Sequence, residues 1–182
     1  MSSTFSFVAG DAGPWKITRT IEVKGLGLAP ASRLIVLNEL VPSVPSGARW
    51  VLRGFTSNVR YASQAEVARL KAVQPVLGRP EAIQAALIPI RKKEAWWELA
   101  QDQRRRIFEE TSHHTAIGLE YLPAVARKLH HSRDLGEPFD FLTWFEFAHE
   151  HSAAFDGLLA RLRATEEWQY VEREVDVRLE RA

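Results

Sequence analysis

The chain has 182 residues, a hydrophobic fraction of 46% and a formal charge of +1, with 24 Lys and Arg against 23 Asp and Glu. This composition excludes a disordered chain, contains no apolar run long enough for a spanning helix, and provides no global field to draw in nucleic acid or an anionic bilayer. The absence of cysteine excludes disulfides, thiolate-held haem, iron–sulfur clusters and Cys-type zinc sites together.

The length suits one compact unit, residues 1–182, with an abbreviated first half (1–80) and a second half (81–182) that carries the chemistry. The N-terminal MSSTFSFVAGDAGPWK has no basic segment followed by a sustained apolar stretch. The cytoplasm is therefore the expected compartment, with the periplasm left open.

Residues 4–9 and 15–24 alternate apolar and polar with β-branched enrichment, which predicts two strands of one antiparallel sheet joined through Gly10, Gly13 and Pro14. A short apolar segment, Leu34 to Leu37, lies between Gly- and Pro-rich connections, and Arg49 to Tyr61 is the next predicted strand. Ser63 with Glu66 forms a capping box that opens a short helix through about Val73.

Ala85 to Lys92 reads as a strand or an extended loop, because Pro89 argues against a helix interior. Lys93 to Phe108 is helical in composition; its arginine run, Arg104 to Arg106, lies between acidic residues and reads as a solvated, locally paired face. Thr111 and Ser112 are placed to cap the next helix, and Pro123 to start another that carries Arg127.

In Asp140 to Phe147 the alternation puts Phe141, Thr143, Phe145 and Phe147 on one face and Leu142, Trp144 and Glu146 on the other. Ser152 to Leu162 has helical spacing, and Trp168 to Leu179 alternates again. The predicted fold is α+β and ferredoxin-like, of the dimeric α+β barrel kind: an antiparallel sheet with helices packed on one face and a truncated N-terminal half.

The stretch Glu109 to Phe147 concentrates the chemistry. Adjacent histidines on a helix point about a third of a turn apart, so at most one of His113 and His114 is an inward ligand. The pairs His130–His131 and His149–His151 also miss the i, i+4 spacing of a helical metal site. One imidazole in an apolar surround with a lone guanidinium beyond it is the minimum set for a haem pocket with a positively charged open face. A ligating imidazole works best when its second nitrogen donates to a carboxylate, and Glu166 and Glu167 are the candidates.

The run SHHTAIGLEYLPAVARKLHHSRDLGEPFDFLTWFEF, with LIPIRKKEAWWEL before it and LRATEEWQYVEREVDVRL after it, resembles the chlorite dismutase family, in particular its short, dimeric branch. The resemblance covers about residues 50 to 180. It implies haem b (iron protoporphyrin IX) as cofactor, His114 as its proximal ligand, Glu167 as the hydrogen-bond partner of that histidine and Arg127 as the catalytic distal arginine.

It further implies that Tyr61, Lys92, Trp96 and Trp97 bind the cofactor at the propionates and on the proximal side. Gln74, Leu122, Thr143 and Phe145 would form the distal pocket. The activity it implies is conversion of chlorite to chloride and dioxygen through a ferryl haem and a retained hypochlorite, in a homodimer. Two alternatives stay open on the residues alone: a coproheme decarboxylase-like enzyme, whose branch resembles a pocket with an uncharged residue where Arg127 stands, and a non-catalytic haem carrier or sensor.

Overall fold

Among the described residues eight segments become strands: β1 (Thr4–Gly10), β2 (Trp15–Lys24), β3 (Arg33–Leu37), β4 (Trp50–Phe55), β5 (Gln84–Lys92), β6 (Val125–His131), β7 (Phe141–Phe147) and β8 (Val171–Arg181). Five helices accompany them: α1 (Gln64–Val73), α2 (Glu94–Glu98), α3 (Gln101–Arg105), α4 (His114–Glu120) and α5 (Ser152–Arg163). The computed structural model describes residues 3–56 and 61–182. The expected strand Arg49 to Tyr61 is realised as β4, and its residues 57–60 lie outside the described ones.

The strands form a closed antiparallel barrel in the order β1-β3-β2-β8-β5-β7-β6-β4, with β4 returning to β1 over Thr4↔Phe55 to Ala9↔Trp50. This overturns the ferredoxin-like α+β prediction of an antiparallel sheet with helices packed on one face: the sheet is an eight-stranded closed barrel. The cause is local. Pro123 does not start a helix: it follows a cis Leu122–Pro123 peptide in the turn after α4, and the chain continues as β6. That strand supplies the wall between β7 and β4 and closes the barrel. The seam from β6 to β4 is one residue pair deep, Phe55↔His131. Gly54 is needed there because a Cβ would come within 2.8 Å of the His130 Cβ.

The period of two sorts side chains to the two sides of the wall. Inward-facing Phe7, Trp15, Leu34, Leu52, Leu87, Leu142, Trp144, Val175, Val177 and Leu179 fill the bore. Trp144 is 3% exposed and packs edge-on to Trp15 with ring centroids 5.3 Å apart. Outward-facing Ile88, Ile90, Val125, Phe145 and Phe147 meet Ile117 of α4 and Phe155, Leu158, Leu159 and Leu162 of α5 in a second core. The α5 face has the spacing expected from sequence. The candidate site lies in this layer between the barrel wall and the helices.

Pro89 lies inside β5, which pairs with both β7 and β8. The capping box of α1 is formed as expected, with Ser63 N donating to Glu66 Oε2 at 2.6 Å. At α4 the expected cap differs: the carboxylate of Glu109 accepts from Thr115 N at 2.7 Å and Ala116 N at 3.3 Å. The arginine run is less solvated than predicted. Arg104 donates to the carbonyls of Trp96 and Trp97, and Arg105 to Glu66 at 2.9 and 3.0 Å and to the Tyr61 carbonyl. These bonds tie α3 to α2 and α1.

Candidate functional site

Register places the outer-face residues of three strands side by side. Arg127 pairs with Phe145, Leu129 with Thr143 and His131 with Phe141 across β6 and β7, and Thr143 and Phe141 pair with Ile88 and Ile90 of β5. Facing this plate are Leu70 of α1, the segment around Phe108, and α4. Together they line one cleft, which includes Tyr61, Lys92, Trp96, His114, Arg127, Thr143 and Glu167. A deeper lobe adds Phe145, Leu158, Leu159 and Leu162 while sharing His114, Arg127 and Thr143.

The backbone before His114 is irregular. Residues Arg106–Thr111 form a π-helical turn, and His113 takes a left-handed conformation at φ +52°. Together they reset the chain direction so that α4 opens on His114. Single π turns recur at functional sites for this reason.

His114 Nδ1 lies 2.6 Å from Glu167 Oε2, and Lys92 Nζ lies 2.7 Å from Glu167 Oε1. Glu167 belongs to a 3-10 turn, Glu166–Tyr170, which also takes in the first residues of the expected strand Trp168 to Leu179; that turn buries Glu167 and exposes Glu166. Its backbone N donates to Ser112 Oγ at 3.0 Å. Burial alone would raise the Glu167 pKa, but the charges and hydrogen bonds of His114 and Lys92 outweigh it and hold the group down at about 2. An ionised Glu167 accepts the proton of Nδ1, so Nε2 is the nitrogen that carries an open lone pair in the neutral ring. Among the described residues nothing bonds to it. Phe108 stacks on the imidazole with centroids 4.3 Å apart and planes at 21°, and Trp168 lies at 6.2 Å and 22° on a near-parallel plane.

Arg127 has the opposite situation. Among the described residues no carboxylate pairs with its guanidinium, and desolvation lowers its pKa from the ordinary arginine value. Arginine keeps its proton even so. The cleft therefore holds a partly desolvated cation with unsatisfied donors, a ready site for a small anion.

The other expected residues divide. Lys92 lines the cleft but its ammonium is committed to Glu167 and lies 4.5 Å from the centre of the Trp96 ring. Tyr61 and Trp96 line the cleft, and among the described residues Tyr61 OH and Trp96 Nε1 are buried without a hydrogen-bond partner. Trp97 is outside the lining and stacks against Phe141 at 6.0 Å. Gln74 is also outside it, where its Nε2 donates to the Arg127 carbonyl at 2.5 Å. Leu122 lines neither lobe. Sequence reasoning did not find Phe108, Thr115, Leu129 or the Lys92–Glu167 pair. A π turn hides Phe108 from helical periodicity, and no sequence signal marks an ion pair formed 75 residues apart.

The donor set fits a haem. Among the described residues no three His, Asp or Glu side chains converge as a metal cage, so a metal on His114 would draw its remaining ligands from a prosthetic group. The walls are apolar, and the unpartnered Tyr61 and Trp96 donors suit peripheral carboxylates.

The Lys92–Glu167–His114 cluster carries a testable pH dependence. A carboxylate at about 2 in the folded state and 4.5 as its reference contributes stability that is complete above pH 4.5 and is lost as pH falls through 2, in total about 3 kcal/mol. Glu167→Gln should therefore lose several kcal/mol in urea unfolding at pH 7, since it also strands the Lys92 ammonium. Its deficit against the parent chain should shrink as pH falls below 4.5. A deficit that does not vary with pH would show that Glu167 is not ionised in the folded protein.

A family model described as "Chlorite dismutase" matches residues 48–180. Among solved structures, a dimeric chlorite dismutase from Nitrobacter winogradskyi is 55% identical over 97% of this chain and 99% of its own, with a TM-score of 0.91. A chlorite dismutase from Candidatus Nitrospira defluvii in complex with imidazole shares the fold at 21% identity over 98% of this chain and 90% of its own, TM-score 0.67. A curated chlorite dismutase from Ideonella dechloratans is 37% identical over 86 residues, 47% of this chain; the matched stretch is 28% of that relative's length.

Proposed function

The chain belongs to the chlorite dismutase family, and from that premise we propose that it is a haem b-dependent enzyme that converts chlorite to chloride and dioxygen, acting as a homodimer. The observation that carries this reading is the pairing, in one apolar cleft, of a carboxylate-held imidazole and an unpaired guanidinium.

His114 Nε2 would hold the haem, with Lys92, Tyr61 and Trp96 around it. Haem bound there would supply redox chemistry able to take oxygen from chlorite. His114 is held in one tautomer and made more basic by Glu167, while Lys92 keeps that carboxylate ionised. The chlorite anion is attracted and oriented by Arg127, whose planar fork offers charge-assisted hydrogen bonds. The same guanidinium would hold the hypochlorite-level anion that remains once chlorite has given up one oxygen, keeping it in the cleft. Escape of that anion would oxidise the protein. Phe145, Leu158 and Leu159 exclude water from the deeper lobe, so the field of Arg127 is little screened where it acts.

The test is direct. Chlorite added to haem-loaded protein in an oxygen-electrode cell should release one dioxygen per chlorite consumed, with chloride as the other product. Decarboxylation of added coproheme without oxygen release would select the decarboxylase reading, and neither reaction the carrier.

A further inference from the structure

Glu109 holds the backbone on both sides of His114. Its carbonyl accepts from His113 N at 3.0 Å, and its carboxylate accepts from Thr115 N at 2.7 Å and Ala116 N at 3.3 Å. The usual capping position is His113, whose left-handed backbone leaves its side chain with no bond to α4. A residue of the π turn Arg106–Thr111 caps the helix in its place.

The same turn is bonded to the partner of the imidazole. Ser112 is buried, donates its N–H to the Ile107 carbonyl at 3.1 Å and accepts from Glu167 N on its Oγ at 3.0 Å. Phe108, the residue before Glu109, stacks on the His114 ring. Arg105 feels the Glu109 charge, but its guanidinium bonds to the Glu66 carboxylate and the Tyr61 carbonyl. The two Glu109 oxygens are left to the amides of α4.

The electronic consequence follows from position. His114 is the first residue of α4, where amide N–H groups without helical partners carry partial positive charge. Such a field beside an imidazole withdraws electron density and lowers its basicity. A carboxylate bonded to the two amides that follow His114 reverses the sign of that field. We propose that Glu109 is a positioning residue whose negative charge, set on the first turn of α4, raises the electron-donating strength of His114 toward the haem iron. The inference rests on the reading of His114 as the haem ligand. Glu167 acts on Nδ1 through a direct hydrogen bond; Glu109 acts through the field of the helix start. A more strongly donating imidazole favours ferric over ferrous iron.

The test is the reduction potential of the haem-loaded protein, measured by spectroelectrochemistry at pH 7 in Glu109→Gln and Glu109→Ala. The Gln side chain keeps an oxygen that accepts an amide and loses the charge; Ala loses both. A charge at a helix N-terminus changes such an equilibrium about 2- to 5-fold, and up to roughly 30-fold when partly buried. Both variants should raise the ferrous-to-ferric ratio within that range and by the same amount, tenfold being about 59 mV for one electron. The ferrous iron–imidazole stretch in resonance Raman spectra should fall in both. The Glu109→Gln shift should persist in a Glu167→Gln background, which a mere loosening of the His114–Glu167 bond would not allow.

A cap with no electronic role would leave the Glu109→Gln potential at the parent value and shift only Glu109→Ala. That result, or a shift that vanishes in the Glu167→Gln background, overturns the role of Glu109 and leaves the haem reading standing. The expected shifts in a protein that releases no oxygen from chlorite overturn the proposed reaction and leave Glu109 standing. A parent chain that takes up no hemin overturns both.

Discussion

His114→Ala is expected to abolish stable haem binding while leaving the barrel folded. The His114 imidazole presents its Nε2 to the cleft, and its loss removes the metal bond itself; removing only an outer partner of such a ligand already costs about 10- to 100-fold in affinity. The deficit for His114→Ala should exceed that. Glu167 and Lys92 remain paired in the variant, so the buried charges stay compensated and far-ultraviolet circular dichroism should match the parent chain. Titration with hemin should give no sharp Soret band at one equivalent. Exogenous imidazole, small enough to fill the space between Phe108 and Trp168, should restore part of it. A normal Soret band with one-to-one stoichiometry in the absence of imidazole would remove His114 from the site.

Arg127→Ala separates binding of the cofactor from handling of the substrate. The guanidinium has no protein carboxylate to leave stranded among the described residues, so its removal should leave haem affinity and global stability close to those of the parent. Its absence removes both the attraction for chlorite and the restraint on the anion left after the first oxygen transfer. Loss of one preorganised donor to a developing or transient anion costs about 100- to 1,000-fold, and oxygen release should fall by at least that lower figure. Bleaching of the haem band per chlorite consumed should rise, because the hypochlorite-level product is no longer held. Arg127→Lys should recover part of the rate, keeping the charge but not the planar fork. An oxygen yield per enzyme unchanged by Arg127→Ala would contradict the assigned role.

The two variants probe residues whose legibility in the sequence differed. His114 is one of two adjacent histidines, and helical geometry limits the pair to one inward ligand without saying which. The π turn at Arg106–Thr111 and the left-handed His113 set the rotation of α4 that makes the choice, and neither has a periodic signature. Arg127 was placed on a helix from the proline before it, yet the segment Val125–His131 is a strand. That difference changes the architecture as well as the residue's surroundings, because the same strand completes the closed barrel. The partition of β7, by contrast, followed from period two alone: Phe141, Thr143 and Phe145 face the cleft lobes, while Leu142 and Trp144 face the bore.

By itself the sequence determined β1, β2 and β4, the capping box of α1, the buried face of α5 and the two sides of β7. Each depends on side chains a few residues apart in one regular segment. Only the tertiary structure decided that the sheet closes, that Trp144 lies inside it, that Lys92 reaches Glu167 instead of solvent, and that Gln74 and Leu122 stand outside the cleft they were expected to line. These depend on which strands meet across the chain and on where buried charges find partners. Such energies belong to pairs of residues far apart in sequence, and no local pattern encodes them.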